Sequence, residues 1–367
     1  MSLALLIILK IYVITIGLLV YGFTRVKKYK KKGLEPRTSF TIIVPFRNET
    51  ENLPNLLGSF SKLNYPIDLF EVVLVDDDSL EKFQISNFKF QVTIIDNIRI
   101  SSSPKKDAIS TAMKYVKTNW VITTDADCIV PENWLLTFDN YIQESQVSML
   151  AGAVTYDCEN SFLHHFQQLD LTSLQGATIG SFGIKKAFMC NGANFAYKKT
   201  LFEKLNGFEG NNKIASGDDV FLLQKAANLF PNEVHYLKVE ESIVSTKPTQ
   251  NWKSLFHQRV RWAAKTSSYQ SNFGKLLGLI VFFGNLCFVI GFIFFLFGIW
   301  SWQLLTLFTF LKFVVDFILL YITNQFLKNT RIKHFILSSL VYPFFSSTVA
   351  LYSLFGSYEW KERRFKV

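Results

Sequence analysis

Two aspartates separated by one residue, Asp125 and Asp127, follow the apolar run Trp120–Thr124 and precede Cys128-Ile129-Val130-Pro131. Residues i and i+2 of a strand share a face, so both carboxylates are expected to leave a sheet edge together. Two hard oxygen ligands side by side suit a divalent cation that already carries phosphate oxygens. Alone, such a pair is more often an ordinary strand-end turn, where Asp is common. Other signals change that balance. Asp76-Asp77-Asp78-Ser79 ends a second apolar run, Glu71–Val75, and Lys105-Lys106 opens a helix-like segment from Asp107 to Lys117. Ser216-Gly217-Asp218-Asp219 precedes Val220-Phe221-Leu222-Leu223, which places an acidic pair at a helix N-terminus. Gln258-Arg259-Val260-Arg261-Trp262 sets a guanidinium beside an amphipathic ring just ahead of an apolar stretch.

The elements that must position these groups follow from the pattern. Strands are expected at Phe40–Val44 (stopped by Pro45), Glu71–Val75, Gln91–Ile95, Trp120–Thr124 and Ala151–Tyr156. Met189–Tyr197 reads as a further strand with a glycine kink. Helices are expected at Leu53–Leu63, Asp107–Lys117 and Lys199–Leu205. Strands alternating with helices imply a mostly parallel sheet covered on both faces. Ligands of such sheets bind beyond the carboxyl ends of the strands, so the acidic clusters should converge there. Gln167–Gly183, polar and rich in small residues, is compatible with a mobile loop or with an acceptor-facing helix.

The chain has 367 residues, 49% of them hydrophobic and 37 of them Phe, with the apolar residues gathered at the two ends. Residues 3–23 hold one charge, Lys10, and are long enough for a bilayer core of roughly 30 Å. The basic residues Arg25, Lys27, Lys28, Lys30, Lys31 and Lys32 follow that run rather than precede it, as in a retained anchor (residues 1–24) whose downstream side faces the cytoplasm. A mixed domain is expected over 38–270, then about three membrane segments within 276–357 (near 276–299, 303–327 and 335–356) and a basic tail, 358–367. Lys312 and Asp316 lie four apart on one helical face and can pair there. Three C-terminal crossings would leave the basic tail outside, against the positive-inside rule, so one stretch is expected to be re-entrant or interfacial, with Pro343 marking the last. The net charge of +10 sits largely beside membrane segments, where anionic lipid explains it, and no nucleic-acid motif accompanies it. Four cysteines without CxxC or His spacing argue against zinc and against a disulfide scaffold.

In their order these motifs resemble the family 2 glycosyltransferases of GT-A fold, in the membrane-anchored branch with the hyaluronan, cellulose and ceramide-glucose synthases. The matching residues are Ile43-Val44-Pro45-Phe46-Arg47-Asn48-Glu49, Asp76–Ser79, Asp125 with Asp127, Gly192-Ala193-Asn194, Ser216–Asp219 and the QxxRW pattern Gln258–Trp262, spanning about residues 40–265. Two departures stand out: Gly217-Asp218-Asp219 replaces the usual Thr-Glu-Asp, and Asp78 replaces a glycine.

The resemblance implies an α/β fold with a mostly parallel central sheet and membrane helices at both ends. It implies inverting transfer from a nucleotide-diphosphate sugar, with UDP favoured; the few polar residues of the C-terminal stretches offer little lining for a translocation pore and favour as acceptor a hydroxyl of a membrane lipid, at the cytoplasmic face of the cytoplasmic membrane. Processive glycan synthesis is the alternative. Mg2+ or Mn2+ would be held by Asp127 with Asp125, and Asp219 would be the general base with Asp218 beside it. Pro45, Glu49, Asp76, Asp77, Lys105, Lys106, Asp125, Gln258 and Arg261 would meet the donor, and Asn194 and Trp262 the acceptor.

Overall fold

The computed structural model describes residues 2–85, 87–211, 214–327, 331–361 and 363–366. Met1 of the expected anchor, and Glu362 and Val367 of the basic tail, lie outside the described residues.

In chain order, helix α1 (Ser2–Arg25) leads to β1 (Phe40–Phe46), α2 (Leu53–Phe60), β2 (Phe70–Asp76), β3 (Gln91–Asp96) and α3 (Pro104–Met113). Then come β4 (Trp120–Thr123), β5 (Cys128–Ile129), α4 (Trp134–Glu144), β6 (Met149–Gly152), β7 (Val154–Tyr156) and α5 (Phe162–Gly183). They are followed by β8 (Phe195–Lys198), α6 (Lys199–Lys204), α7 (Asp218–Leu229), β9 (Val234–Leu237) and β10 (Val244–Thr246). The chain continues through α8 (Trp252–Ala264), α9 (Asn272–Leu296), α10 (Trp302–Leu327) and α11 (Phe335–Tyr352) to the hairpin β11 (Ser357–Trp360) and β12 (Arg363–Lys366).

Two compact units result. The α/β unit comprises Lys27–Asp157 and Ala187–Lys247. The helical unit comprises Met1–Val26, Cys158–Lys186 and Pro248–Val367. Residues 38–270 are therefore not one continuous domain: α5 and the segment from Pro248 onward cluster with the apolar helices.

The α/β unit is built on a seven-stranded sheet in the order β3-β2-β1-β4-β8-β6-β9. β1 pairs in parallel with both β2 and β4, and β2 with β3, whereas β8 runs antiparallel to β4 and β6. The central strands are buried on both faces, which is why they read as unbroken apolar runs. Pro45 does not stop β1: it stays in register opposite Val75, and the strand runs to Phe46. α2 ends at Phe60 rather than Leu63, and α3 starts at Pro104 with its fixed φ and ends at Met113. Ala151–Tyr156 is divided between β6 in the large sheet and β7, which pairs with β10 in a three-stranded sheet. Within Met189–Tyr197, Gly192–Asn194 forms a 3₁₀ turn and only Phe195 onward is strand.

Among the described residues of the helical unit, four helices are long and apolar enough to cross a membrane: Leu3–Arg25, Asn272–Leu296, Trp302–Leu327 and Phe335–Tyr352. Gln167–Gly183 is resolved as helix, being most of α5. Its small residues serve packing: a Cβ on Gly183 would lie 1.8 Å from the Gly22 carbonyl oxygen, and one on Gly180 would lie 2.4 Å from the Leu19 oxygen. α1 and α5 thus meet backbone to backbone. The expected Lys312–Asp316 pair forms at 2.6 Å. Tyr12 of α1 completes it, donating to Asp316 at 2.7 Å.

Candidate active site

Because β1, β2 and β4 are parallel, Phe46, Asp76 and Thr123 end at one edge of the sheet. β8 runs the other way, with Phe195 opposite Thr123, so the turn just before β8 reaches that same edge. There the Thr123 hydroxyl donates to the Gly192 carbonyl at 2.6 Å. The strand therefore ends before Asp125 and Asp127, which occupy the tight turn that follows it; the Cys128 amide donates to the Asp125 carbonyl at 3.1 Å.

The α3 N-terminus supplies the cation. Lys105 Nζ lies 2.5 Å from Asp125 Oδ1 and 3.7 Å from Asp218 Oδ2, joining the DxD turn to the acidic start of α7. Burial works against a charge there, yet Asp125 and Asp218 more than offset it and hold Lys105 above the usual lysine range. Burial, reinforced by Asp218, also pushes the Tyr197 phenol well up. Lys106 plays a different part from that expected of it. It is buried and donates to the Asn211 and Ile214 carbonyls at 2.8 and 2.9 Å, which ties the loop before α7 to α3.

α7 is entered through Gly217 at φ +84°, a left-handed conformation that glycine adopts freely. Asp219 is then held by two amides, Gly192 N–H at 2.8 Å and Val220 N–H at 2.7 Å. A Cβ on Gly192 would sit 3.2 Å from Asp218 Oδ2, 3.3 Å from Lys105 Nζ and 3.4 Å from Asp219 Cβ. Gly192 is thus the point around which Lys105, Asp218 and Asp219 close. Of the residues expected from sequence, Asp125, Lys105, Asp218 and Asp219 come together in one cluster, with Asp127 on the adjoining turn.

The donor-side loops are knit to one another. Arg47 donates to the Asp77 carbonyl at 2.8 Å and also to the Asp78 carbonyl. Asp78 has φ +64°, so the turn keeps the left-handed conformation that a glycine would give. Asp76 accepts from the Ser79 amide and from Lys82 Nζ, both at 2.8 Å. Burial opposes its ionisation, but Lys82 and Ser79 outweigh that and hold the carboxyl below the usual aspartate range. Asp77 accepts from Asn97 at 2.6 Å and from Arg99 at 3.4 Å. Glu49 accepts from its neighbour Asn52 at 2.5 Å, and Pro45 stays within β1. Lys82, Asn97 and Arg99 were missed from sequence. Lys82 could have been suspected from its place six residues after Asp76; Asn97 and Arg99 carry no motif.

Asn194, expected at the acceptor, is a core amide instead. Fully buried, it accepts from Trp134 Nε1 at 2.9 Å and donates to the Ala153 and Ser242 carbonyls, both at 2.8 Å. The QxxRW residues belong to the helical unit. There Arg259, not Arg261, forms the buried ion pair, with Asp170 of α5. Its guanidinium also bonds Gln258 and lies 4.2 Å from the Trp262 ring, while that of Arg261 lies 5.1 Å from the Trp360 ring.

Asp125 and Asp127 fit a divalent cation of one kind. Among the described residues no group of three or more His, Cys, Asp or Glu is placed to hold a metal. An ion there would take at most these two carboxylates from the cluster and complete its shell with diphosphate oxygens and water, the habit of Mg2+ at phosphate substrates.

Residues 41–206 match the family described as Glycosyl transferase family 2; the match ends before Asp218. The probable glycosyltransferase YdaM of Bacillus subtilis (strain 168) is 22% identical over 283 residues, which cover 73% of this chain and 66% of that protein, just under two thirds. The glycosyltransferase AglE of Haloferax volcanii is 21% identical over 225 residues, covering 60% of this chain and 70% of AglE. Among solved structures, the mannosyltransferase PcManGT from Pyrobaculum calidifontis, in complex with GDP-Man and Mn2+, is similar over 96% of this chain and 99% of its own. The TM-score is 0.59 and the identity 16%, a likeness of fold. Residues 41–206 therefore match the family described as Glycosyl transferase family 2 and share a GT-A-like fold with PcManGT, in a chain whose other unit holds, among the described residues, four helices long enough to cross a membrane.

Proposed function

We propose that this chain is an inverting transferase that moves a sugar from a nucleoside-diphosphate donor to a hydroxyl of a membrane lipid. The observation that carries the reading is the position of Lys105, one cation between the DxD carboxylate Asp125 and the α7 pair. Leaving-group neutralisation and acceptor deprotonation, the two demands of the reaction, thereby fall to neighbouring side chains. A divalent ion on Asp127 and Asp125 would act as Lewis acid toward the diphosphate when bound. Lys105 adds fixed positive charge beside it and keeps Asp125 and Asp218 from repelling one another. Asp219 takes the acceptor proton, its carboxylate oriented by the Gly192 and Val220 amides. A UDP donor is read from the resemblance; the GDP-Man bound by PcManGT makes a guanine nucleotide the comparison to include. The donor roles of Gln258 and Arg261 and the acceptor role of Trp262 belong to the same proposal, as does the lipid acceptor, which the apolar helices support.

The test uses the full chain in nanodiscs, with UDP- and GDP-sugars, Mg2+ or Mn2+ and a lipid extract. Asp219→Asn should lower turnover by roughly 10²–10⁴ while nucleotide affinity stays within a few-fold of the parent. Turnover within a few-fold of the parent would remove Asp219 as base. Unchanged metal-free activity in Asp127→Asn would remove the metal.

A further inference from the structure

Arg259 occupies the first unspecified position of the QxxRW segment, where the motif itself demands nothing. On α8 it falls on the buried face with Leu255, four residues earlier, whereas Gln258, Arg261 and Trp262 are half-buried. Its side chain is 6% exposed, a place where a guanidinium persists only with partners. One planar group serves three neighbours. Nε donates to the Asp170 carboxylate of α5, which is as far out of water as the arginine. Nη1 donates to the Gln258 side-chain oxygen. The guanidinium carbon lies 4.2 Å from the centre of the Trp262 ring, three residues along and so on the same face of α8. Asp170 also has a neighbour on α11, since the Tyr342 side chain interacts with its carboxylate.

Stability alone does not account for this arrangement. Apolar residues of similar size often replace a buried ion pair at no cost, so the pair is not required to hold α5 to α8. An apolar pair could not, however, fix the two half-buried side chains beside it. With its oxygen taken by Arg259, the Gln258 amide has its NH2 group to offer a ligand. With one face on a cation, the Trp262 ring is held in one rotamer. Lysine would not substitute. Its ammonium can meet Asp170, but it has neither the planar fork that reaches Gln258 at the same time nor the flat face that lies on a ring.

We propose that Arg259 and Asp170 are positioning residues for transfer, a buried clamp through which α5 holds Gln258 and Trp262 in the arrangement that serves the reaction. This rests on the donor role of Gln258 and the acceptor role of Trp262 proposed above. Both clamp residues act through those two side chains rather than on substrate.

Two measurements on the full chain in nanodiscs test this. The first is a mutant cycle in transfer rate, with UDP- and GDP-sugars, Mn2+ and a lipid extract. Arg259→Lys should lower kcat/KM roughly 10- to 100-fold, with the melting temperature close to that of the parent. In a chain already carrying Gln258→Ala and Trp262→Ala, the same change should cost less than about threefold, because the side chains it positions are gone. Equal losses in both backgrounds would overturn the clamp and leave the role of the motif in transfer standing. Parental transfer by the Gln258→Ala, Trp262→Ala chain would overturn that role, and the clamp with it. Arg259→Met with Asp170→Leu removes both charges and so spares the fold; it repeats the cycle against any loss of stability in Arg259→Lys. The second measurement needs no turnover. In fluorine spectra of the chain labelled with fluorotryptophan, the Trp262 resonance is the one lost in Trp262→Phe. Asp170→Glu, altered at a carboxylate that bonds Arg259, should shift or broaden that resonance, since a longer acid in a buried pair displaces the guanidinium. An unchanged Trp262 resonance in Asp170→Glu would overturn the clamp whatever the transfer rates.

Discussion

Lys105 and Gly192 show how a charge and an absence of side chain cooperate. Lys105 is largely buried, and the carboxylates of Asp125 and Asp218, with Asp219 behind them, keep it charged. Asp218 and Asp219 approach it because residue 192 offers no Cβ to hold them off. Gly192→Ala should therefore disturb chemistry more than stability. The added methyl group would press on Lys105 Nζ, Asp218 Oδ2 and Asp219 Cβ at 3.2–3.4 Å, so these groups must shift by a few tenths of an ångström. Turnover is expected to fall about 10- to 100-fold, since displacements of this order at reacting groups are costly, with little change in melting temperature. Steady-state rates and thermal denaturation of the same preparation check this; a large loss of stability at near-normal turnover would contradict the arrangement. At this scale the sequence was most legible where chemistry dictates residue type, as in Asp125, Asp218 and Asp219. It was least legible where a motif residue does structural work. Asn194 stands in the glycine motif yet spends its amide on Trp134, Ala153 and Ser242. Lys106 is indistinguishable from Lys105 in sequence but lies on a different side of the α3 turn.

The elements that departed from expectation did so for identifiable reasons. Periodicity along Ala151–Tyr156 is continuous, so nothing local tells β6 from β7; their partners, β8 and β9 for one and β10 for the other, come from distant parts of the chain. α5 lacks a clear apolar stripe because its neighbours are not ordinary core. It carries glycines where α1 approaches and Asp170 where Arg259 must be paired. The close approach can be tested. Gly183→Leu should force α1 and α5 apart, because even a Cβ would overlap the Gly22 carbonyl, and overpacking typically costs about 1–3 kcal/mol. Gly17→Ala, with nothing within 4 Å of the added atom, is the control and should be neutral or slightly stabilising. Thermal inactivation in one detergent compares the two; equal behaviour would mean that α1 and α5 are not held by this contact.

Over the whole molecule, the chain passes repeatedly between its two units, and its ends are tied within the helical one. Tyr12 and Asp316, separated by 304 positions, share a hydrogen bond, and Lys312 lies with its ammonium 4.9 Å from the Tyr12 ring. The i,i+4 spacing of Lys312 and Asp316 was visible in the sequence, but the tyrosine that joins them to α1 was not, since nothing local to Tyr12 marks it. Such a triad is costly to break and nearly dispensable to replace. Asp316→Asn removes one charge and leaves the buried Lys312 ammonium without its carboxylate, an imbalance worth about 3–5 kcal/mol where buried pairs have been broken. The double change Lys312→Met with Asp316→Leu removes both charges together and should come within about 1–2 kcal/mol of the parent, since apolar replacements of buried pairs are often neutral. If the pair instead served catalysis or a substrate path, the double variant would be stable but inactive. Stable and active protein from the double change, beside a poorly folded Asp316→Asn, is the outcome expected of a packing device joining α1 to α10. The measurements are detergent-resistant melting and transfer rate on the same three preparations. A stable Asp316→Asn would mean that Lys312 finds relief elsewhere, and the tie between the ends of the chain would then rest on apolar packing alone.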